Sequence, residues 1–165
     1  MKLTKEMIME FLNSGFLEKR NASFSEGKGM DDTELFGAIH KNGKDYVLVL
    51  DSEGDIQNLS VLFCEIFPDA EIDALRRACH AASDALWVGR GAKVIVNERD
   101  KSASFCLSFP TQMTSDLEFT LDYAMDSLDI SAIAFDEALE EIIGEEEKTA
   151  SYMGIPVMGA ATFCS

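Results

Sequence analysis

Three observations predict an α+β fold whose sheet is antiparallel and about five-stranded. Two blocks of strand-like runs, 34–67 and 92–109, are broken by short turn signals. Stripes of apolar residues recurring at three and four residues mark helices after each block, over 70–86 and 117–142. A further capped helix precedes the first block. The element order is therefore helix, three strands, helix, two strands, helix.

The first helix is predicted from Lys5 to Ser14. Thr4 is a good N-cap, Leu3 and Ile8 fit a hydrophobic staple across it, and Gly15 is placed to end it in a left-handed conformation. Ile8, Phe11 and Leu12 form its apolar face. Glu18 to Asp32 is polar and glycine-bearing, and reads as a loop holding at most a short strand around Ala22-Ser23-Phe24. Glu34 to His40 is the first strand of the block. Lys41-Asn42-Gly43-Lys44 carries Asn-Gly, the strongest short signal for a tight hairpin. Asp45 to Leu50 follows. Its run Tyr46-Val47-Leu48-Val49-Leu50 is apolar without alternation, which predicts a strand covered on both faces. After the turn Asp51-Ser52-Glu53-Gly54-Asp55, the third strand runs from Ile56 to Phe67, where Pro68 cannot extend the ladder.

Asp69 is placed to cap a helix from Ala70 to Leu86, with Ile72, Leu75, Cys79, Ala82 and Leu86 facing inward. Gly89-Arg90-Gly91 breaks the chain before a strand at Ala92 to Glu98. Arg99-Asp100-Lys101 turns it into a strand from Ser102 to Phe109, where Ala103, Phe105, Leu107 and Phe109 alternate with polar residues. The last helix has the spacing of a capping box at Ser115 and Glu118. Its inner stripe is Leu117, Leu121, Ala124, Leu128, Ala132, Phe135, Leu139 and Ile142, and Gly144 is placed to end it. The tail 149–165 is uncharged and apolar in texture. With 165 residues, no repeat and no linker, residues 1–165 read as one domain.

This order resembles the type III secretion chaperone-like fold, and within it the YbjN-like bacterial proteins, over about Thr4 to Glu147. The aliphatic strand Tyr46 to Leu50, the paired run Ala92 to Phe109, and the long last helix ending Phe135-Asp136-Glu137-Ala138-Leu139-Glu140-Glu141 carry the resemblance. It implies a sheet with helices mainly on one face and often a dimer. It implies no catalytic residues. The small-residue surface Ala74 to Ala85 and the uninterrupted strand Tyr46 to Leu50 point to a homodimer as well, because a single-layer α+β domain otherwise leaves one sheet face wet.

Charge narrows the partners. Lys and Arg number 14 against 30 Asp and Glu, a net charge of −16. Nucleic acids and anionic membranes both want a positive surface, so neither is expected as a partner. No apolar run approaches the length of a membrane span, and the start lacks the apolar core of a signal peptide, so the expected location is cytoplasmic. Cys64, Cys79, Cys106 and Cys164 form no CxxC or CxC pair and read as reduced thiols. The Asp51–Asp55 turn lacks the order of a calcium loop, and no Gly-Lys-Ser/Thr follows Gly89-Arg90-Gly91. His40 and His80, the two histidines, have no evident nucleophile and third partner beside them in sequence. No catalytic residue, metal ligand or cofactor is assigned on these grounds.

The last helix carries the most distinctive chemistry. Every charged side chain from Asp116 to Glu147 is acidic. Asp122 and Asp126, and Glu137 and Glu141, stand four apart, where like charges repel by a few tenths of a kcal/mol. Such a face is kept soluble by its charge or docks a basic partner segment; a metal site, the third reading, needs convergent carboxylates, and these are strung along a rod. The candidate docking residues are Asp122, Asp126, Asp129, Glu137, Glu140 and Glu141, all off the inner stripe. The expected function is a non-catalytic, chaperone-like or regulatory protein-binding module. The alternative is an enzyme or small-ligand binder whose pocket is made by residues distant in sequence.

Overall fold

A computed structural model describes residues 2–29, 33–86 and 92–152. The protein is α+β with a six-stranded antiparallel sheet. Its elements are α1 (Lys5–Phe11), a wide turn (Leu12–Phe16), α2 (Leu17–Lys19), β1 (Ser23–Glu26), β2 (Thr33–Lys41), β3 (Lys44–Glu53), β4 (Ile56–Ile66), α3 (Ile72–Leu86), β5 (Lys93–Asn97), β6 (Ser102–Pro110), a 3₁₀ turn (Thr111–Met113) and α4 (Leu117–Tyr152). The strand order is β1-β2-β3-β4-β6-β5. The sixth strand is β1, which overlaps the short strand that the sequence allows around Ala22-Ser23-Phe24. It pairs with β2 in the register Ser23↔His40 to Glu26↔Gly37. Glycine at 37 makes this possible: a Cβ there would lie 2.3 Å from the Phe24 ring, far inside contact distance. Phe24 thus lies over Gly37, and β1 gains an apolar anchor from a strand otherwise made of Ser and Glu.

The chain packs as two compact units, Met1–Phe63 with Cys106–Asp126, and Cys64–Phe105 with Ser127–Ser165. In the first unit, Thr4 caps α1 as expected, its hydroxyl accepting from the Met7 N–H at 3.2 Å. Gly15, with φ of 116°, breaks the helix as expected, but the chain re-enters helix at once to form α2. The core of this unit takes Ile8, Leu12 and Phe16, alternate residues of β2 to β4, and Leu121, Ala124 and Met125. Burying a Leu, Ile or Phe fully is worth roughly 1.5–3 kcal/mol each. The Asn42-Gly43 hairpin forms, with both residues at positive φ, and sets Lys41 opposite Lys44. In β3, Tyr46, Leu48 and Leu50 are buried, but Val47 and Val49 are only half-buried. The apolar run is therefore covered fully on one face only, because the pleat sends alternate side chains to opposite faces.

Gln57 is a polar node within this core and only 1% exposed. Its Oε1 accepts from the Leu3 N–H at 2.8 Å and the Thr111 hydroxyl at 2.7 Å. Its Nε2 donates to the Leu3 carbonyl at 2.8 Å and to Glu34 at 2.7 Å. All four hydrogen-bonding positions of the amide are filled. The N-cap of α4 is one residue later than the expected Ser115: Asp116 Oδ1 accepts from the Phe119 N–H at 3.0 Å.

In the second unit, Ala74, Leu75, Ala78 and Ala82 of α3 are buried, with Ala103 and Phe105 of β6. From α4, Leu128, Ala132, Phe135, Leu139 and Ile142 are buried, which is the predicted stripe. Phe135 packs against Phe67 at 5.3 Å between ring centroids and edge-on to Phe105 at 5.8 Å. Ser131 donates to the Ser127 carbonyl at 2.7 Å, while the buried Ser127 hydroxyl has no partner among the described residues. Gly144 does not end α4, which runs on to Tyr152 and takes in the first residues of the apolar tail. A methyl group at Gly144 would meet open space, so nothing there forces a break. The rest of the tail, Trp87, Gly89-Arg90-Gly91 and Cys164 lie outside the described residues.

Candidate functional site

The acidic residues of α4 do not share one environment. In the first unit, Asp122 is committed to Arg20. The guanidinium donates from Nε to Oδ1 at 2.7 Å and from Nη2 to Oδ2 at 2.5 Å, a two-pronged pair. Nη2 also reaches Glu118 at 3.0 Å, and Nη1 donates to the Phe16 carbonyl at 3.0 Å. The Arg20 carbon lies 3.9 Å from the centre of the Phe16 ring. Only 14% of the Arg20 side chain is exposed. Hydrogen bonding to Asp122 raises the Arg20 pKa further, against burial, which lowers it, so the cation is fixed. Asp126 is exposed in the same unit.

In the second unit, Glu137, Glu140 and Glu141 are exposed and Asp129 is half-buried. Ile130 and Ile133 are 41% and 55% exposed. Positions 130, 133, 137 and 140 are spaced by three and four, so these two isoleucines and two glutamates stand on one side of the helix. This mixture of exposed apolar and acidic groups was missed in the sequence, because Ile130 and Ile133 pass for core residues in an apolar helix.

A second constellation lies on the outer pleat of β1, β2 and β3. The two-residue hairpin sets His40 directly opposite Asp45, and β1 pairing sets Ser23 and Ser25 on the same side as His40. His40 Nδ1 is 2.5 Å from Asp45 Oδ1, and His40 Nε2 is 2.7 Å from Ser25 Oγ. A carboxylate only accepts, so Nδ1 of the neutral ring carries the proton and Nε2 accepts from the Ser25 hydroxyl. The His40 and Asp45 side chains are 40% and 70% exposed. The sequence placed His40 without a nucleophile or third partner. The hairpin signal already implied Asp45 opposite it; Ser25 needed β1.

A cleft of about 510 Å³ in the second unit is lined by Arg76, Arg77, His80, Ala81 and Ile142. Arg76 is paired with Glu98, and Arg77 with Glu146 at 3.1 Å, so each lining arginine already faces a carboxylate. Among the described residues, no three His, Cys, Asp or Glu side chains are grouped to hold a metal ion. None of the described helices is long and apolar enough to cross a membrane.

No family model and no curated protein matches the chain. The fold is similar to a solved structure, that of an uncharacterized protein from Methanothermobacter thermautotrophicus, with a TM-score of 0.55 at 7% identity. The match covers 80% of this chain and 96% of that one. At this identity the likeness is one of fold.

Proposed function

We propose that the chain is a protein-binding module of the type III secretion chaperone-like, YbjN-like kind, working in the bacterial cytoplasm. Its docking surface is the outward side of α4 around Ile130, Ile133, Glu137, Glu140 and Glu141. The observation that carries this reading is the pair of exposed isoleucines set among carboxylates. An apolar centre with a charged surround is the usual anatomy of a binding patch. Its complement is a short amphipathic segment with apolar side chains on one face and Lys or Arg beside them. Asp126 and Asp129 extend the acidic character along the helix in sequence, whereas Asp122 serves Arg20 instead. A second copy of the chain is proposed on the half-buried pleat around Phe36 and Val49, the end of the outer face away from the Asn42-Gly43 turn, which leaves Ser25, His40 and Asp45 open.

The test of docking uses Lys/Arg-rich amphipathic peptides and fluorescence anisotropy. Binding should weaken as salt rises between roughly 50 and 300 mM, since exposed charges are screened over that range. The triple variant Glu137→Gln, Glu140→Gln, Glu141→Gln should weaken it about tenfold, each exposed pair being worth about 0.5 kcal/mol. Affinity that ignores both salt and the triple variant would mean that the acidic side serves solubility alone. Light scattering reads the second copy: a mass of 18.2 kDa at tens of micromolar would remove the dimer.

A further inference from the structure

We propose that Ser25, His40 and Asp45 form a nucleophilic relay that lets Ser25 take an acyl group from a small activated ester at the solvent side of the sheet. Three features of the structure carry it. The hydrogen bonds run in the order a relay requires, hydroxyl to Nε2 and Nδ1 to carboxylate, at 2.7 and 2.5 Å. Each group sits on a different strand of one ladder, so backbone pairing rather than a loop holds the geometry. Phe24, seated over Gly37 on the opposite side of β1, fixes which way Ser25 points.

The step balances without any co-reactant except water. The Ser25 proton passes to His40 Nε2 as Oγ bonds to the acyl carbon. The bond from that carbon to the leaving oxygen breaks, and the leaving alkoxide takes the proton from Nε2 and departs as an alcohol. Water then gives a proton to Nε2 and attacks the acyl carbon. The Ser25 oxygen leaves with that proton, releasing a carboxylic acid. Asp45 holds the ring in the tautomer that makes Nε2 the base and stabilises the imidazolium that forms. The site is open, so solvent meets the charge on the carbonyl oxygen. The gain is that of a positioned general base, roughly 10²–10⁴-fold. The substrate class is accordingly small and already activated.

Ser23 supplies an internal control. It lies on the same strand and the same side, and is exposed. The full chain is treated with a fluorophosphonate, and the modified residues are mapped and timed by mass spectrometry. Ser25 should be labelled at least about 100-fold faster than Ser23. His40→Gln should abolish that advantage, and Asp45→Asn should reduce it at least about tenfold, with far-ultraviolet circular dichroism unchanged. Release of p-nitrophenol from p-nitrophenyl acetate should fall in parallel and be lost in Ser25→Ala. Equal labelling of Ser25 and Ser23 in the unaltered chain overturns the proposal without recourse to any variant, as does an unchanged Ser25 rate in folded His40→Gln.

Discussion

The two units treat polar groups in opposite ways. In the first, the buried Gln57 amide fills all its hydrogen-bonding positions, and Arg20 is held by two carboxylates, a carbonyl and an aromatic ring. In the second, among the described residues, the buried Ser127 hydroxyl has no partner, and Arg76 and Arg77 each meet one glutamate at exposed positions. The first unit uses polar groups to fix where segments distant in sequence meet. Gln57 ties residue 3 to residue 111, and Arg20 ties the end of α2 to the first turns of α4. The second unit relies on apolar contact, with Phe135 between Phe67 and Phe105. A polar group that satisfies several partners is expensive to remove, because the buried ones among them are left unpaired. One with a single exposed partner is not.

Substitutions can break this contrast, and Gln57→Ala is expected to do most. It strands the Leu3 amide and carbonyl and the Thr111 hydroxyl, and should cost roughly 3 kcal/mol. The measurement is the urea midpoint; a shift below about 1 kcal/mol would mean that water replaces the amide freely. Next comes Arg20→Gln, which should cost about 2 kcal/mol, whereas Arg76→Gln and Arg77→Gln should each stay within about 0.5 kcal/mol. Equal costs at all three arginines would erase the distinction between a clamped and an exposed ion pair. The smallest effect has the opposite sign. Ser127→Ala removes a buried hydroxyl that bonds to none of the described residues, and should raise stability by up to about 1 kcal/mol. A loss of stability there would show that the hydroxyl has found a partner in solution.

What the sequence revealed follows the range of the interactions involved. Local signals were readable: the Thr4 cap, the break at Gly15, the Asn42-Gly43 hairpin and the inner stripe of α4 all appear where neighbouring residues place them. The features that are faint or silent in the sequence need a partner far along the chain. β1 has no apolar alternation of its own and is held by pairing to β2 and by Phe24 over Gly37. Arg20 and Asp122 are 102 residues apart, so Asp122 read as an unclaimed acidic group. The docking side of α4 was half legible: its carboxylates stand out in the sequence, whereas Ile130 and Ile133 look like core until burial separates them from Leu128 and Phe135. Gly144 misled for another reason. A glycine costs a helix interior only about 1 kcal/mol relative to alanine, too little to stop a helix packed along one side.

The hairpin loop also sets a clock on the molecule. An asparagine followed by glycine is the pair most prone to losing its side-chain amide through a cyclic imide. That imide reopens largely to an isoaspartyl linkage, which threads one extra carbon into the main chain. At Asn42 the extra carbon would fall inside a two-residue loop whose φ angles, 54° and 75°, match the twist of its flanking strands. The cross-strand pairs Lys41↔Lys44 and His40↔Asp45 hang directly from that loop. Chemical ageing at one exposed loop residue would therefore unseat His40 from Asp45, and aged material would lose the imidazole–carboxylate pair while the more distant strands keep theirs.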